Sequence, residues 1–178
     1  MKVGVIGGAG YVGLITGLGL AEVGHNVTNV DIDQARIRQL ENGEPSIYEE
    51  GLKAILQRNL NAGNIRFSSN ITSAIKGCQV ILIAVGTPSR NDGQADLTQV
   101  VHVTETMASS LDTYSVIAIK STVPVGTTKN RLGKILERES GLEISKDFSL
   151  AFSPERVYSG RIFTDLATWV ASIYLTVI

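Results

Sequence analysis

The fold is decided by the stretch Lys2-Val-Gly-Val-Ile-Gly-Gly-Ala-Gly-Tyr-Val-Gly-Leu14, because an apolar run, a glycine cluster and a helix-forming segment follow one another without a gap. Gly8, Gly10 and Gly13 have the spacing G-x-G-x-x-G. In that pattern the first glycine turns the chain out of a strand, the second lets backbone N–H groups approach a pyrophosphate, and the third lets the helix lie close to the sheet. A helix that begins near Tyr11 then points its positive end at the phosphates. The stretch therefore predicts a dinucleotide site.

An acidic residue follows at the distance that such a site requires. Residues 25–30 are predicted to form a second strand that ends at Asp31, eighteen positions after Gly13. A carboxylate there accepts hydrogen bonds from both ribose hydroxyls of NAD and repels the 2′-phosphate of NADP. With this acid, the strand before the glycines and the helix after them, the pattern favours NAD binding over an ordinary glycine-rich turn.

The glycines alone also fit a second class of enzyme. Gly7, Gly10 and Gly13 match the G-x-x-G-x-x-G spacing of extended short-chain dehydrogenases and nucleotide-sugar epimerases. Those enzymes need a Tyr-x-x-x-Lys pair, in which the lysine lowers the pKa of the tyrosine so that its phenol can move protons. The residues four positions after the five tyrosines are Ile15, Leu52, Ala118, Ile162 and Ile178. This alternative is therefore disfavoured.

Composition excludes several other classes of protein. The 178 residues are 43% hydrophobic and 19% charged, which is ordinary for one soluble globular domain. The net charge of −1 gives no attraction for nucleic acid or a membrane, and no apolar run resembles a signal sequence or approaches a membrane span. The single cysteine, Cys78, excludes an internal disulfide and a cysteine-rich zinc site. We expect a cytoplasmic protein without a metal site.

Apolar runs alternate with helical patterns along the rest of the chain. Further strands are predicted at 64–69, 79–85, 115–119 and 148–152. Helices are predicted at 33–42, after the loop 43–52 and through Leu60, at 71–76, from an Asp96 cap to residue 111, and at 127–139. Six strands that alternate with helices indicate an α/β Rossmann-type, doubly wound parallel sheet with flanking helices.

Ligands of such a sheet bind at the carboxyl ends of its strands. The turn-rich loop 86–93 follows the fourth strand there. Ser121 and Thr122 follow the fifth, where two hydroxyls suit a water or a substrate oxygen; a helix cap from Thr127 or Thr128 is the simpler reading. Glu155 follows the sixth strand beside an arginine, and the pair is either catalytic or a salt bridge.

Three other residues have a functional and a simpler interpretation. Arg36 is either a solvated surface charge or a cover for the adenosine ribose. His102 is expected on an ordinary helix surface rather than in a catalytic role. Cys78 precedes a buried strand, so it is expected to be a small core residue and not a nucleophile.

Five segments together resemble one family, the UDP-glucose/GDP-mannose dehydrogenases, which are also called nucleotide-sugar 6-dehydrogenases. The segments lie in the family's order at 10–14, 45–52, 85–88, 120–128 and 153–157. The resemblance covers residues 1 to about 166. It implies oxidation of the primary alcohol of a nucleotide-linked sugar to a carboxylate, with two NAD molecules and a thioester on a cysteine.

The resemblance also implies roles for residues of this chain. It implies a pyrophosphate cradle formed by Gly8, Ala9, Gly10, Tyr11, Val12 and Gly13. Asp31 and Arg36 would hold the adenosine ribose, and Thr87 and Pro88 would line the nicotinamide side.

Three more residues are implied at the reacting centre. Ser121 and Thr122 would lie there, with Thr122 positioning a water, and Glu155 would contact the cofactor and act as acid and base in thioester hydrolysis.

Two departures from the family pattern affect these expectations. The segment Ser-Pro-Glu-Arg-Val-Tyr-Ser-Gly at 153–160 is similar to that of the subgroup acting on UDP-N-acetylhexosamines such as UDP-N-acetylmannosamine, and a second acid is missing at Ser159. The opening has one more glycine than the usual pattern, which we expect to change how Gly7 and Gly8 share the turn.

The largest departure concerns length. The family's catalytic lysine, asparagine and cysteine, its dimer-forming central helix and its UDP-binding domain all lie beyond the matched segments. We expect residues 1–166 to be the NAD-binding domain and 167–178 to be an apolar tail, either a closing strand or the product of a truncated or frameshifted reading frame.

NAD and a UDP-sugar are the implied ligands, and a homodimer is implied for the full-length enzyme. A chain of this extent would bind NAD without completing the oxidation; a non-catalytic nucleotide-binding module is the alternative from another class.

Overall fold

The sheet of the protein is built from parallel strands in an order that reverses once. A computed structural model describes residues 1–153 and 176–177. In these residues the strand order is β3-β2-β1-β4-β5-β6-β7. The strands are β1 (Lys2–Ile6), β2 (Asn26–Val30), β3 (Ile65–Ser68), β4 (Val80–Ile83), β5 (Ser115–Ile119), β6 (Phe148–Phe152) and β7 (Thr176–Val177). The first six pair in parallel and β7 pairs antiparallel with β6, so part of the apolar tail is a strand.

Helices connect the strands and cover the sheet. They are α1 (Tyr11–Glu22), α2 (Gln34–Glu41), α3 (Leu52–Ala62), α4 (Ile71–Ile75), α5 (Thr98–Ala108) and α6 (Lys134–Ser140), the last preceded by a π-helical segment at Thr128–Gly133. The predicted Rossmann-type doubly wound sheet is confirmed, with its switch point between β1 and β4. Within the described residues, each helix is too short or too polar to cross a bilayer.

Two apolar clusters form the core. One includes Leu14, Leu18 and Leu56, from α1 and α3. The other includes Met107 and Leu136, from α5 and α6. Strands with apolar residues on both faces are typical of parallel sheets, because helices cover both sides. The continuous apolar run of β4 lies between these clusters. Because helices cover both faces of the sheet, a ligand can reach it at the carboxyl ends of the strands.

Two predicted helix caps differ from the structure. The cap of α5 is Leu97, and the helix ends at Ala108 rather than 111. Asp96 lies one residue earlier, where its Oδ1 accepts the backbone N–H of Thr98 at 2.9 Å and the Thr98 hydroxyl at 2.6 Å. Thr127 makes no side-chain cap hydrogen bond, because the chain enters the π-helical segment from a turn in which its N–H donates to the carbonyl of Pro124. The cap of α2 is Asp33, as predicted.

Candidate functional site

The glycine turn after β1 is held by the end of β2. The N–H groups of Gly7 and Gly8 both donate to the carbonyl of Val30, each at 2.8 Å. Gly7 has φ of +83°, and a Cβ on it would lie 2.7 Å from the carbonyl oxygen of Ala84. The left-handed residue of the turn is therefore Gly7, whereas the spacing assigned the sharp turn to Gly8. The additional glycine accounts for this difference, since the turn gains one residue before the G-x-G-x-x-G pattern.

The other glycines of the turn allow close packing or leave open space. A Cβ on Gly8 would lie 2.6 Å from the Cβ of Asn29, and a Cβ on Gly13 would lie 2.2 Å from the carbonyl oxygen of Gly7. Gly8 thus lets the turn lie against β2, and Gly13 lets α1 approach the turn. A Cβ on Gly10 would meet only the Gly7 carbonyl oxygen, at 3.3 Å. The open side of Gly10 lies at the start of α1, where the first N–H groups of a helix have no intrahelical acceptor.

Asp31 connects the glycine turn to the start of α2. Its Oδ2 accepts the N–H of Ala9 at 3.1 Å, and its Oδ1 accepts the N–H of Asp33 at 3.1 Å. A carboxylate has about four acceptor positions, so both oxygens can accept further hydrogen bonds. The Nε of Arg36 lies 3.2 Å from the Oδ2 of Asp33, and both side chains are about half exposed. An ion pair of this kind contributes little to stability, and Arg36 can reorient toward a ligand.

A cavity of about 290 Å³ lies between the ends of β2 and β4. Its polar lining includes Asp31, Arg36, Gln99 and His102, and Ile32 at its mouth is 83% exposed. His102 lies on the exposed surface of α5, as predicted, but it also borders this cavity. The predicted ribose pair of Asp31 and Arg36 therefore shares one cavity.

A second cavity, of about 330 Å³, continues the first across the switch point. The two share Gly10, Ala84, Val85 and Gly86. The remaining lining of the second cavity is Tyr11, Val12, Thr87, Lys120, Ser121 and Thr122. The chain thus has one cleft that passes over the open side of Gly10.

Hydroxyl groups join the loops after β4 and β5 beside the second cavity. Ser121 is buried, and its hydroxyl donates to the carbonyl of Val85 at 2.7 Å. The hydroxyl of Thr87 donates to the backbone carbonyl of Thr122 at 2.8 Å. The side chain of Thr122 is exposed, and Pro88 is exposed beside the cavity. Of the predicted hydroxyl pair, Ser121 therefore binds the neighbouring loop while Thr122 faces outward.

The start of α1 is also tied to the loop between α2 and α3. The hydroxyl of Tyr11 donates to the Oε1 of Glu49 at 2.5 Å. The adjacent Tyr48 is 92% exposed. The loop between α2 and α3 thus contacts the lining of the second cavity through the hydrogen bond between Glu49 and Tyr11. Glu155 and its neighbouring arginine lie outside the described residues.

Two pKa shifts in the described residues have clear causes. The Cys78 thiol is fully buried, and this burial raises its pKa. The residue lies before β4, at the end of the strand opposite the cleft, and its Sγ is 3.4 Å from the carbonyl oxygen of Ala74. A neutral, enclosed thiol is a poor nucleophile. Hydrogen bonds from Thr98, and then from Arg90, lower the pKa of Asp96 to about 2. In the described part of the chain, no group of three or more His, Cys, Asp or Glu side chains is arranged to hold a metal.

Comparison with known proteins decides the family. The family model of the UDP-glucose/GDP-mannose dehydrogenase family, NAD binding domain, matches residues 1–170. The chain belongs to this family. It is 42% identical over 164 residues to the UDP-glucose 6-dehydrogenase TuaD of Bacillus subtilis (strain 168), which covers 92% of this chain and 35% of TuaD. The expected family and its NAD-binding domain are thus confirmed.

Other family members give the same result. The chain is 34% identical over 166 residues to the UDP-N-acetyl-D-mannosamine dehydrogenase of Pyrococcus horikoshii, covering 93% of this chain and 39% of that protein. The structure of a ternary complex of GDP-mannose dehydrogenase from Pseudomonas aeruginosa superimposes with a TM-score of 0.89 at 28% identity, over 93% of this chain and 38% of that one. The chain therefore spans well under half the length of these relatives. These relatives are named for three different substrates, UDP-glucose, UDP-N-acetyl-D-mannosamine and GDP-mannose.

The residues of the cleft fit NAD, the cofactor of this family. Gly10 leaves room at a helix start for a pyrophosphate, and the Asp31 carboxylate lies at the cavity beside it. Sequence reasoning missed Asn29, Lys120 and Gln99. Asn29 could have been found as the amide two residues before Asp31, because the two-residue period of a strand puts it on the same face of β2 as Val27. Lys120 and Gln99 had no such signal, because only the fold brings them to the cleft.

Proposed function

We propose that this chain provides the NAD half of a nucleotide-sugar 6-dehydrogenase, which oxidises the primary alcohol of a UDP-sugar to a carboxylate. The observation that carries the proposal is the single cleft that runs from the Asp31 carboxylate, over Gly10, to the loop hydroxyls after β4 and β5. Its two cavities would hold the two halves of a dinucleotide, with the adenosine in the first and the reactive ring in the second. Bound NAD would supply the acceptor for a hydride.

Each part of the cleft would have one task. The segment from Gly8 to Gly13, with Ala9, Tyr11 and Val12, would cradle the pyrophosphate. The N–H groups of Gly8, Ala9 and Gly10 already donate within the protein, so those of Val12 and Gly13 in the first turn of α1 would bind the phosphates. Asp31 would accept from the ribose hydroxyls, and Arg36 would cover them.

The residues at the other end would orient the reacting ring and the substrate. Thr87 and Pro88 would border the nicotinamide, since their loop follows β4. Ser121 would hold the loop through Val85, which leaves the exposed Thr122 to position a water. Glu155 would exchange the proton of that water.

The substrate chemistry needs a nucleophile that the described residues do not supply. The one cysteine of the sequence is buried and its pKa is raised, so it cannot add to a sugar aldehyde in the cleft, the addition that must precede oxidation to a thioester. Family members are more than twice as long as this chain. We therefore propose that turnover requires the family's remaining domains. We also propose that the full-length enzyme is a homodimer and that the protein is cytoplasmic. The UDP-N-acetylhexosamine preference stays part of this proposal.

Isothermal titration of the 178-residue chain with NAD tests the binding half of the proposal. We expect saturable binding of NAD and much weaker binding of NADP, because the carboxylate of Asp31 repels a 2′-phosphate. Absence of heat at millimolar NAD would overturn the proposal that the chain binds NAD.

The second test incubates the same chain with NAD and UDP-glucose or UDP-N-acetylmannosamine. No NADH is expected, and sustained NADH production would contradict the need for a second domain.

A further inference from the structure

Asn29 is a buried polar residue whose side chain contacts the glycine turn. It lies on β2 and is fully buried. Its Nδ2 donates to the carbonyl of Gly8 at 2.8 Å and to the carbonyl of Gly13 at 3.4 Å. Its Oδ1 has no hydrogen-bond partner among the described residues. Burying an amide with one unsatisfied oxygen costs stability, about 1–3 kcal/mol, so an apolar side chain would serve the core of the sheet better.

Asn29 and Asp31 each make a hydrogen bond to the same peptide group of the turn. The carbonyl of Gly8 and the N–H of Ala9 belong to the same planar unit and point in opposite directions. Asn29 binds the carbonyl at 2.8 Å, and Asp31 binds the N–H at 3.1 Å. Asn29 and Asp31 are two residues apart, a spacing that puts side chains on the same face of a strand. The Gly8–Ala9 peptide is therefore fixed at both of its polar ends.

The surroundings leave this amide a single orientation. A Cβ on Gly8 would lie 2.6 Å from the Asn29 Cβ, and a Cβ on Gly17 would lie 2.1 Å from its Oδ1. Rotating the amide by half a turn would bring Oδ1 to the Gly8 carbonyl oxygen, where two acceptors would repel each other. Glycines on both sides thus let the amide reach beneath the turn with its donor toward Gly8.

We propose that Asn29 is a positioning residue for NAD: it sets the orientation of the Gly8–Ala9 peptide and also holds the Gly13 carbonyl, and so keeps the Asp31 carboxylate and the start of α1 in place for the cofactor. This inference rests on the proposed binding of NAD. Asn29 is buried beneath the turn and acts through it. Its removal should weaken NAD binding by more than the loss of stability explains, because a turn that samples several orientations must be ordered when the ligand binds.

Three variants test this role. Asn29→Ala removes the amide, and Asn29→Asp keeps its shape but replaces the donor with an acceptor. The control is Asn59→Ala, which removes another buried amide, one that donates to Glu22 and to the carbonyl of Ile55 away from the cleft. The affinity for NAD is measured by calorimetry, thermal unfolding gives stability, and hydrogen exchange of the unliganded proteins reports on the turn.

We expect both Asn29 variants to weaken NAD binding about tenfold, as for the loss of one hydrogen bond. Exchange should accelerate locally at residues 8–13. The Asn59 variant should lose stability but keep its affinity within about twofold. If an Asn29 variant is too unstable for calorimetry, faster exchange at 8–13 at low temperature supports the role, and uniformly faster exchange opposes it.

Two results would overturn the inference and are distinguishable from failure of the proposed function. Equal affinity of wild type and Asn29→Ala, or an equal loss in the Asn59 control, would remove Asn29 from the binding of NAD while leaving the function intact. A wild-type chain that does not bind NAD would overturn both.

Discussion

The two sides of the cleft are built differently. On the β1–β2 side, comprising the glycine turn at 7–13 and Asp31, backbone groups are paired with buried or half-buried partners, and an added Cβ would collide with backbone at Gly7 and Gly13. On the β4–β5 side, comprising loops 84–97 and 120–127, the exposed loops are joined through the hydroxyls of Ser121 and Thr87. The first side is thus held by internal hydrogen bonds and close packing. The second carries the outward-facing Thr122, which we propose positions a water.

This difference predicts how substitutions act. Changes on the β1–β2 side should reduce folding or NAD affinity strongly, because a Cβ has no space at Gly7, Gly8 or Gly13 and would enter the open space beside the helix start at Gly10. Changes on the β4–β5 side should have small effects on NAD binding and matter mainly for turnover by the full-length enzyme.

The largest effect is expected at Gly13. Gly13→Ala would put a Cβ 2.2 Å from the backbone oxygen of Gly7, so we expect the free energy of unfolding to fall by about 3 kcal/mol. NAD binding should be lost with it. The control is Gly10→Ala, where the nearest atom is 3.3 Å away and φ is −75°, so that the fold should persist while NAD binding weakens. Urea unfolding compares the two, and equal stability would contradict close packing at Gly13.

Next in size is the effect of Asp31→Arg. The carboxylate that holds the N–H of Ala9 is replaced by a cation that matches a phosphate, so we expect NAD affinity to fall about a hundredfold. The ratio of affinities should shift toward NADP. Titration with both cofactors measures it, with Asp33→Asn, which changes the neighbouring cap, as the control. An unchanged ratio would exclude Asp31 from the ribose site.

A smaller effect is expected at Gly17, where a double-mutant cycle measures the fit of α1 against Asn29. A Cβ on Gly17 would lie 2.1 Å from the Asn29 Oδ1. Gly17→Ala should therefore cost less stability in an Asn29→Ala background than in wild type, with a coupling of at least about 1 kcal/mol. The same substitution combined with Asn59→Ala should be additive. Additivity in both pairs would show that the contact is not tight.

The smallest effect is expected on the β4–β5 side. Thr87→Val removes the hydrogen bond to the Thr122 carbonyl, which lies at the surface, and should cost about 0.5 kcal/mol of stability. NAD affinity should change by less than about threefold. Thr122→Val, at an exposed side chain, is the control and should change neither quantity. A tenfold loss of affinity in Thr87→Val would show that this side is also prepared for the cofactor.

The sequence predicts the scaffold of the cleft well. Apolar runs between glycines mark the parallel strands, and Asp33 marks the start of α2 by its side-chain cap. The distance of Asp31 from the glycines is sufficient to predict that its carboxylate lies beside the glycine turn, where Oδ2 accepts the N–H of Ala9. These features depend on local sequence, so spacing and side-chain type are sufficient to find them.

The remaining features depend on contacts between distant segments. The left-handed residue of the turn is Gly7. It has to be a glycine because a Cβ there would lie 2.7 Å from the carbonyl oxygen of Ala84, which is distant in sequence. The contacts of Asn29 with the Gly8 and Gly13 carbonyls are visible only in the folded chain. The pairing of Ser121 with Val85 likewise joins two loops that are far apart in sequence. Helix and strand patterns carry no information on these pairings.

The central claim, that the glycine turn and the end of β2 form a ready-made NAD site, is tested most directly by hydrogen exchange with and without saturating NAD. We expect NAD binding to protect the backbone amides of residues 7–13 and 31–36 from exchange, with smaller protection at 84–87. The β3 edge at Ile65–Ser68 should exchange equally in both states. Binding that leaves residues 7–13 unprotected while protecting another surface would contradict the account.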